Sequence, residues 1–215
     1  MTPAVAASPI VPSLDEPTAL LVRLSGAIAG GSEADVRANA TACTQGVDPV
    51  WVEEVILQSY LFAGLPRTLN AMREWRRLSG RVAPVEDEGA NAERRVAEWR
   101  ARGEETCAAV YADMYDRLRV NIAALHPALD AWMVVEGYGK VLGRPQLDLM
   151  RRELCIVAMC AVAKQDRQLQ SHLHGALNVG ATPEQVAGSL VAVGDMIGKT
   201  GLTRALTMLE RVLRK

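Results

Sequence analysis

The sequence predicts an all-α protein, and three observations carry that prediction. From Thr18 onward almost every segment places apolar residues at helical spacing. No stretch sustains the period-two alternation and β-branched enrichment of a strand. The chain is rich in Ala, Leu, Arg, Glu and Met, all good helix formers, and has a single Phe.

The elements follow in order. Residues 1–17 carry Pro3, Pro9, Pro12 and Pro17 among small residues and are expected to form a disordered arm. Thr18–Ala29 reads as a helix stopped by Gly30 and Gly31. Ser32 caps the next, Glu33–Gln45, which ends at Gly46. Asp48 and Pro49 start a third helix that runs to Ala63 and stops at Gly64. Pro66 restarts a fourth, reaching Ser79 and Gly80. Residues 81–105 form a charged stretch, expected to be a linker followed by a solvated helix. Further helices are expected near Cys107–Ala124, Pro127–Gly137, Leu147–Lys164, Asp166–Val179, Pro183–Ile197 and Gly201–Leu213.

Composition bounds the function. At 215 residues, 49% apolar and 23% charged, the chain can bury a core as one large domain or two small ones. A net charge of −1 with ordinary apolar content excludes disorder as the dominant state. The 24 Lys+Arg are cancelled by 25 Asp+Glu, leaving no basic surplus for nucleic-acid phosphates. No run approaches the ~18 apolar residues of a membrane span. The opening MTPAVAASPIVPS has neither the basic nor the continuous apolar part of a secretory signal. Cys43, Cys107, Cys155 and Cys160 lack framework spacing and read as reduced, buried thiols of a cytoplasmic protein.

An internal repeat organises the chain. A shift of 134 residues lays 19–78 on 153–212 without a gap, matching Gly46 with Gly180, Pro49 with Pro183, Val52 with Val186 and Gly64 with Gly198. These matches fall where helices stop and start, which suggests an ancestral dimer fused into one chain. The copies differ at two ionisable positions. Glu153 and His172 in the second copy stand where the first has Ala19 and Ala38. A carboxylate and an imidazole in an apolar layer cost several kcal/mol unless paired or wet, so this pair is the candidate for chemistry.

The stretches HPALDAWMVVEGYGKVLGRPQLDLMRREL and QLQSHLHGALNVGATPEQV, from His126 to Val186, resemble the carboxymuconolactone decarboxylase family, which includes alkylhydroperoxidase-D-like thiol peroxidases. GVDPVWVEEVILQSYLFAGLPRTLNA, at 46–71, is similar to a helix pair of the same family. The resemblance implies a tandem duplicated helical bundle of that family's type. Residues 18–80 would be a first, degenerate decarboxylase-like repeat, 81–105 a charged linker and helix, and 106–215 a second repeat carrying the site. The passage from Tyr138 to Asp148 looks like the decarboxylase side of the family.

Peroxidases of the family carry a Glu, a Cys-x-x-Cys pair and a His. Laid onto this chain, the Glu and His fall on Glu153 and His172, 19 residues apart, and the two cysteines on Gln165 and Gln168. Glutamine cannot replace a thiolate nucleophile. Cys155 and Cys160 lie about 140° apart around a helix and are no substitute dithiol.

The activity that the resemblance implies is cofactor-free loss of carbon dioxide from a small carboxylated lactone in aromatic-acid breakdown. Such chemistry needs a proton donor to carbon, and imidazole titrates near neutrality. His172 is therefore assigned as general acid/base and Glu153 as its orienting partner, with Arg144 and Arg152 as substrate-anion ligands. An antiparallel hairpin turning near Gln165 would stagger Glu153 and His172 by about 8 Å, so contact requires the helices to cross. The bland readings are a packed histidine, a first-turn glutamate favoured by the helix dipole, and arginines on a solvated face.

His174 points about 200° away from His172 around the helix, so no metal chelate is expected, and the resemblance implies no cofactor. His126 reads as a capping residue, and Trp51, Trp75, Trp99 and Trp132 as core or interface anchors. Short helices apolar on several faces suggest a partner surface, and the resemblance to a family that forms rings of small subunits implies a homo-oligomer, a trimer first. Two other functions compete with the lyase: a peroxidase-family member that has lost its redox cysteines, and a non-catalytic helical oligomer that binds a small ligand or a protein.

Overall fold

Asp15, Ser32 and Asp48 each stand immediately before a helix and cap it through a side-chain oxygen. Asp15 accepts from the Thr18 backbone N–H and opens α1 (Glu16–Gly30). Ser32 forms a reciprocal capping box with Asp35 and opens α2 (Glu33–Gly46). Asp48 precedes α3 (Pro49–Ala63). Gly64 leads into α4 (Leu65–Ser79), which closes on left-handed Gly80. A computed structural model describes residues 10–90 and 92–214 of the chain, and among these every regular element is helical. The all-α class is as the sequence predicts.

The second half begins with α5 (Ala92–Tyr111), then a turn, α6 (Tyr115–Leu125) and α7 (Pro127–Trp132). Residues Met133–Leu142 form a π-helix, closed by the Gly143 N–H on the Tyr138 carbonyl at 2.8 Å. Then follow α8 (Leu149–Val162), α9 (Asp166–Asn178), α10 (Pro183–Ala192) and α11 (Gly194–Leu213). α11 is interrupted at Gly198, where the backbone takes φ 69°, ψ 167°.

Several expected boundaries move. The helix expected over Cys107–Ala124 is broken at residues 112–114, where Ala112 sits at φ 46°. The helix expected over Pro127–Gly137 ends at Trp132 and gives way to the π-helix. The solvated helix expected within 81–105 is joined to the start of the next as α5, and Trp99, within the charged stretch, is buried. Gly103 and Gly139 explain why. A Cβ at Gly139 would fall 1.9 Å from the Trp99 carbonyl, and one at Gly103 would fall 2.0 Å from that of Val134. With both absent, α5 and the π-helix touch backbone to backbone. Of the expected arm, residues 1–9 lie outside the described residues. Residues 10–15 run against α10, with the Ser13 N–H on the Glu184 carbonyl at 2.9 Å.

Helices α1–α4 and α8–α11 form two quartets of the same order. Gly64 (φ 80°, ψ 160°) and Gly198 (φ 69°, ψ 167°) share one backbone conformation at corresponding points of the chain. The quartets meet along α1 and α8, with α3 also against α8 and α10 against α1. Leu21, Leu24, Ile28, Leu154 and Ile156 are fully buried in the shared core, each contributing about 1.5–3 kcal/mol of apolar burial. The intervening segment, α5 to the π-helix, packs over the second quartet chiefly through α5 on α9.

Candidate functional site

Neighbouring residues on a helix diverge by about 100°, and α8 uses this at Arg152 and Glu153. Arg152 faces α3, and Glu153 faces α9. The Glu153 Oε2 lies 2.8 Å from Nδ1 of His172 on α9. Both side chains are buried, Glu153 fully and His172 with 3% exposure. The packing of α8 on α9 thus brings the pair into contact despite the stagger of about 8 Å expected of an antiparallel hairpin. Phe62 of α3 meets the imidazole edge-on, ring centroids 5.5 Å apart.

Gly175 makes this contact possible. A Cβ there would lie 2.7 Å from Glu153 Oε2 and 2.7 Å from a Val110 methyl. Without it, the carboxylate rests against the backbone of α9. Sequence reasoning missed Gly175, although a helix-interior glycine three residues after a candidate histidine was a usable signal. The other carboxylate oxygen, Oε1, is buried without a hydrogen-bond partner.

The chemistry of the pair follows from these bonds. With Nδ1–H donating to the Glu153 carboxylate, the ring is held as one tautomer and Nε2 is the nitrogen left to exchange a proton. His172 lines a cavity of about 700 Å³ with Tyr60, Tyr111, Trp132, Tyr138 and Gln168 among its walls. Tyr111 and Tyr138 meet edge to face, centroids 6.0 Å apart. Burial pushes both phenols up, and the charge of Glu153 adds to the rise. Both are therefore neutral hydrogen-bonding groups at ordinary pH.

Arg144 and Arg152, expected to bind a substrate anion, are committed elsewhere. Arg152 is fully buried and donates to Glu54 Oε2 at 2.7 Å, to Gln58 Oε1 and to the Leu147 and Arg144 carbonyls. Arg144 donates to Glu54 and, at 2.8 Å, to Asp87 Oδ2. Burial works against the Arg144 charge, and the bonds to Asp87 and Glu54 outweigh it. This is an ionic core between the quartets, and neither guanidinium lines the His172 cavity. The solvated-face reading fails as well, because both are buried. Glu54 and Gln58, which hold this core from α3, drew no attention in the sequence because their partners lie 90 or more residues away.

Gln165 and Gln168, on the cysteine positions of the resemblance, are exposed. With Cys160 they line a smaller cavity of about 220 Å³. Burial pushes the Cys160 thiol up to about 12, with Glu153 adding to the rise. Cys43, Cys107 and Cys155 are likewise buried, free and pushed up to about 12. His126 caps α7, its Nδ1 accepting from the Ala128 N–H at 3.1 Å. Trp75 and Trp99 are buried, whereas Trp132 is 64% exposed. Among the described residues no cluster of three or more His, Cys, Asp or Glu could hold a metal, and no helix is long and apolar enough to cross a membrane.

Comparison with known proteins agrees with the fold. Peroxisomal protein 2 of Schizosaccharomyces pombe is 30% identical over 136 residues, which is 63% of this chain and 63% of that protein. The chain thus spans less than two thirds of that relative's length. The model of the carboxymuconolactone decarboxylase family matches residues 127–211, a range that holds Glu153, His172 and Gly175 together. Over residues 127–211, which hold the paired acid and imidazole, the chain is thus similar to the carboxymuconolactone decarboxylase family.

Proposed function

We propose that the chain is a cofactor-free acid–base catalyst, with His172 as the proton-transferring group and Glu153 as its orienting partner. The reaction is decarboxylation, or related proton transfer, of a small carboxylated lactone in aromatic-acid catabolism. The observation that carries this reading is the buried 2.8 Å contact between the two side chains at the wall of a large cavity. The bond from the γ-carbon to the carboxylate breaks and carbon dioxide leaves. The electron pair spreads through the adjacent double bond into the lactone carbonyl as a dienolate. Imidazolium Nε2–H then protonates carbon, and water restores the proton to His172. The apolar walls keep water from the departing carboxylate and strengthen each polar contact.

A peroxidase role has less support, since no thiol of the chain is both exposed and easily ionised. Assembly has a specific observation behind it. Leu125, Leu129 and Trp132 at the rim of the cavity are 72%, 45% and 64% exposed, an apolar rim that a second copy of the chain in a trimer would cover. We place the protein in the cytoplasm; the printed name of the fission-yeast relative makes the peroxisome the alternative compartment.

The test is consumption of carboxymuconolactone by the purified chain, followed as loss of lactone absorbance and release of carbon dioxide. His172→Gln is expected to lower kcat by about 100-fold or more, with an unchanged melting temperature. Equal turnover by wild type and His172→Gln, or none by either, removes the assignment and leaves the non-catalytic ligand-binding oligomer as the better reading.

A further inference from the structure

With Arg144 and Arg152 committed to carboxylates in the ionic core, the cation that would receive a substrate's acid group must come from elsewhere. The His172 cavity shares two wall residues, Tyr60 and Glu136, with a second cavity of about 460 Å³. These two residues are bonded to each other. The Tyr60 hydroxyl donates to Glu136 Oε1 at 3.0 Å, and that same oxygen accepts from the Lys140 ammonium at 3.2 Å. One carboxylate oxygen with two donors therefore forms the partition between the chambers. The far chamber has an apolar wall that includes Leu57, Leu65, Leu69 and Met72, and a polar wall that includes Arg144 and Asp87, which are bonded to each other. Lys140 lines this chamber and, among the described residues, pairs with no carboxylate besides that of Glu136. Glu136 is 37% exposed, so it has room to swing out.

We propose that the two chambers form one elongated site for a largely apolar acid whose anchoring carboxylate is distinct from the group that reacts at His172, and that Glu136 occupies the position of that carboxylate until the ligand arrives. On binding, the ligand acid displaces Glu136 from Tyr60 and Lys140 and accepts their two hydrogen bonds. Its apolar body threads between the chambers, and its other end lies at His172. The π-helix suits this arrangement, because it carries Glu136 and Lys140 on one side of the partition and Gly137 in the wall of the His172 cavity. The proposal rests on His172 marking the reactive end, but it concerns binding and is measured without turnover.

The probes are hexanoate, decanoate and decanol, titrated calorimetrically into the full-length chain. Decanoate is expected to bind one per chain, more tightly than hexanoate and than decanol. Lys140→Met should weaken decanoate by about tenfold and leave decanol unchanged, since the lost interaction is one charge-assisted bond. Glu136→Gln should tighten decanoate several-fold by removing the internal competitor. Gly137→Leu fills the His172 chamber; a Cβ there meets nothing nearer than the Trp132 carbonyl at 3.9 Å, so the fold should persist while decanoate binding is lost. His172→Gln should abolish turnover while weakening decanoate less than Lys140→Met does, which separates this inference from the catalytic one. Three results overturn it: equal affinity for acid and alcohol, a Lys140→Met titration like wild type, or decanoate binding that survives Gly137→Leu.

Discussion

Helices α1–α4 and α8–α11 repeat one order of elements, with the same unusual glycine conformation before the last helix of each, yet they bury different polar groups. In the second quartet α8 and α9 enclose Glu153 and His172. In the first, the corresponding Ala19 is half-buried and Ala38 is exposed. The alanines are therefore not methyl groups in an apolar layer, as the sequence comparison suggested. Among the described residues Ala38 lies at the surface and Ala19 is only partly covered. The second quartet's equivalent face is covered by α5 and the π-helix, and that cover turns a surface pair into an enclosed one. The first quartet buries charge on its opposite side instead. Glu54 of α3 stands where α10 has Gly188, and its cations, Arg144 and Arg152, come from the other half of the chain. We propose that the quartets descend from one duplicated unit; the shared element order and the Gly64/Gly198 geometry support that reading. The difference teaches that a buried charge persists where the rest of the chain supplies its partner.

The largest expected effect is at the ionic core. Arg152→Met leaves Glu54 buried with a weakened set of donors and should destabilise the chain by about 3–5 kcal/mol. Denaturant unfolding reads this directly, and a loss under about 1 kcal/mol would mean that Glu54 finds water instead. Next comes the glycine under the candidate site. Gly175→Ala should cost about 1–3 kcal/mol through overpacking and lower any His172-dependent turnover, because the new methyl displaces the Glu153 carboxylate. The corresponding exposed position in the first quartet gives the control: Thr41→Ala should change stability by about 0.5 kcal/mol or less. Similar effects at both positions would erase the contrast between the quartets.

The smallest effect concerns pH. The hydrogen bonds from Arg144 hold the Asp87 carboxyl below its ordinary value of 3.8. A depressed native pKa contributes stability that is complete above that value and lost as pH falls below it. The stability gap between wild type and Asp87→Asn should therefore stay constant from neutrality down to about pH 4 and close below it. A gap that widens under acid would show that segment 81–90 is not held by this pair.

Much of the fold was legible because it is local. Caps at Asp15, Ser32 and Asp48, the glycine stops, and the helix starts at Pro49 and Pro183 are decided within a turn or two of chain. The break at Ala112 and the π-helix were not legible. They answer to the backbone contact of α5 with 133–142, across a separation where no local pattern speaks. For the site, Glu153 and His172 stood out as ionisable residues against alanine, but the two arginines beside them were misassigned. An arginine reads the same on a surface, in a pocket or in a sealed ion pair until its partner is known.

The sequence by itself determined the helical class, most helix ends and the two residues whose chemistry is worth testing, since each depends on side-chain periodicity, caps and residue type. Only the tertiary structure decided that α8 and α9 cross closely enough for a 2.8 Å contact, that the segment between the quartets covers it, and that Glu54 claims both arginines. The physical reason is range. Helix propensity acts over a few residues, whereas burial and charge pairing are settled by whichever distant surfaces the packed chain brings together.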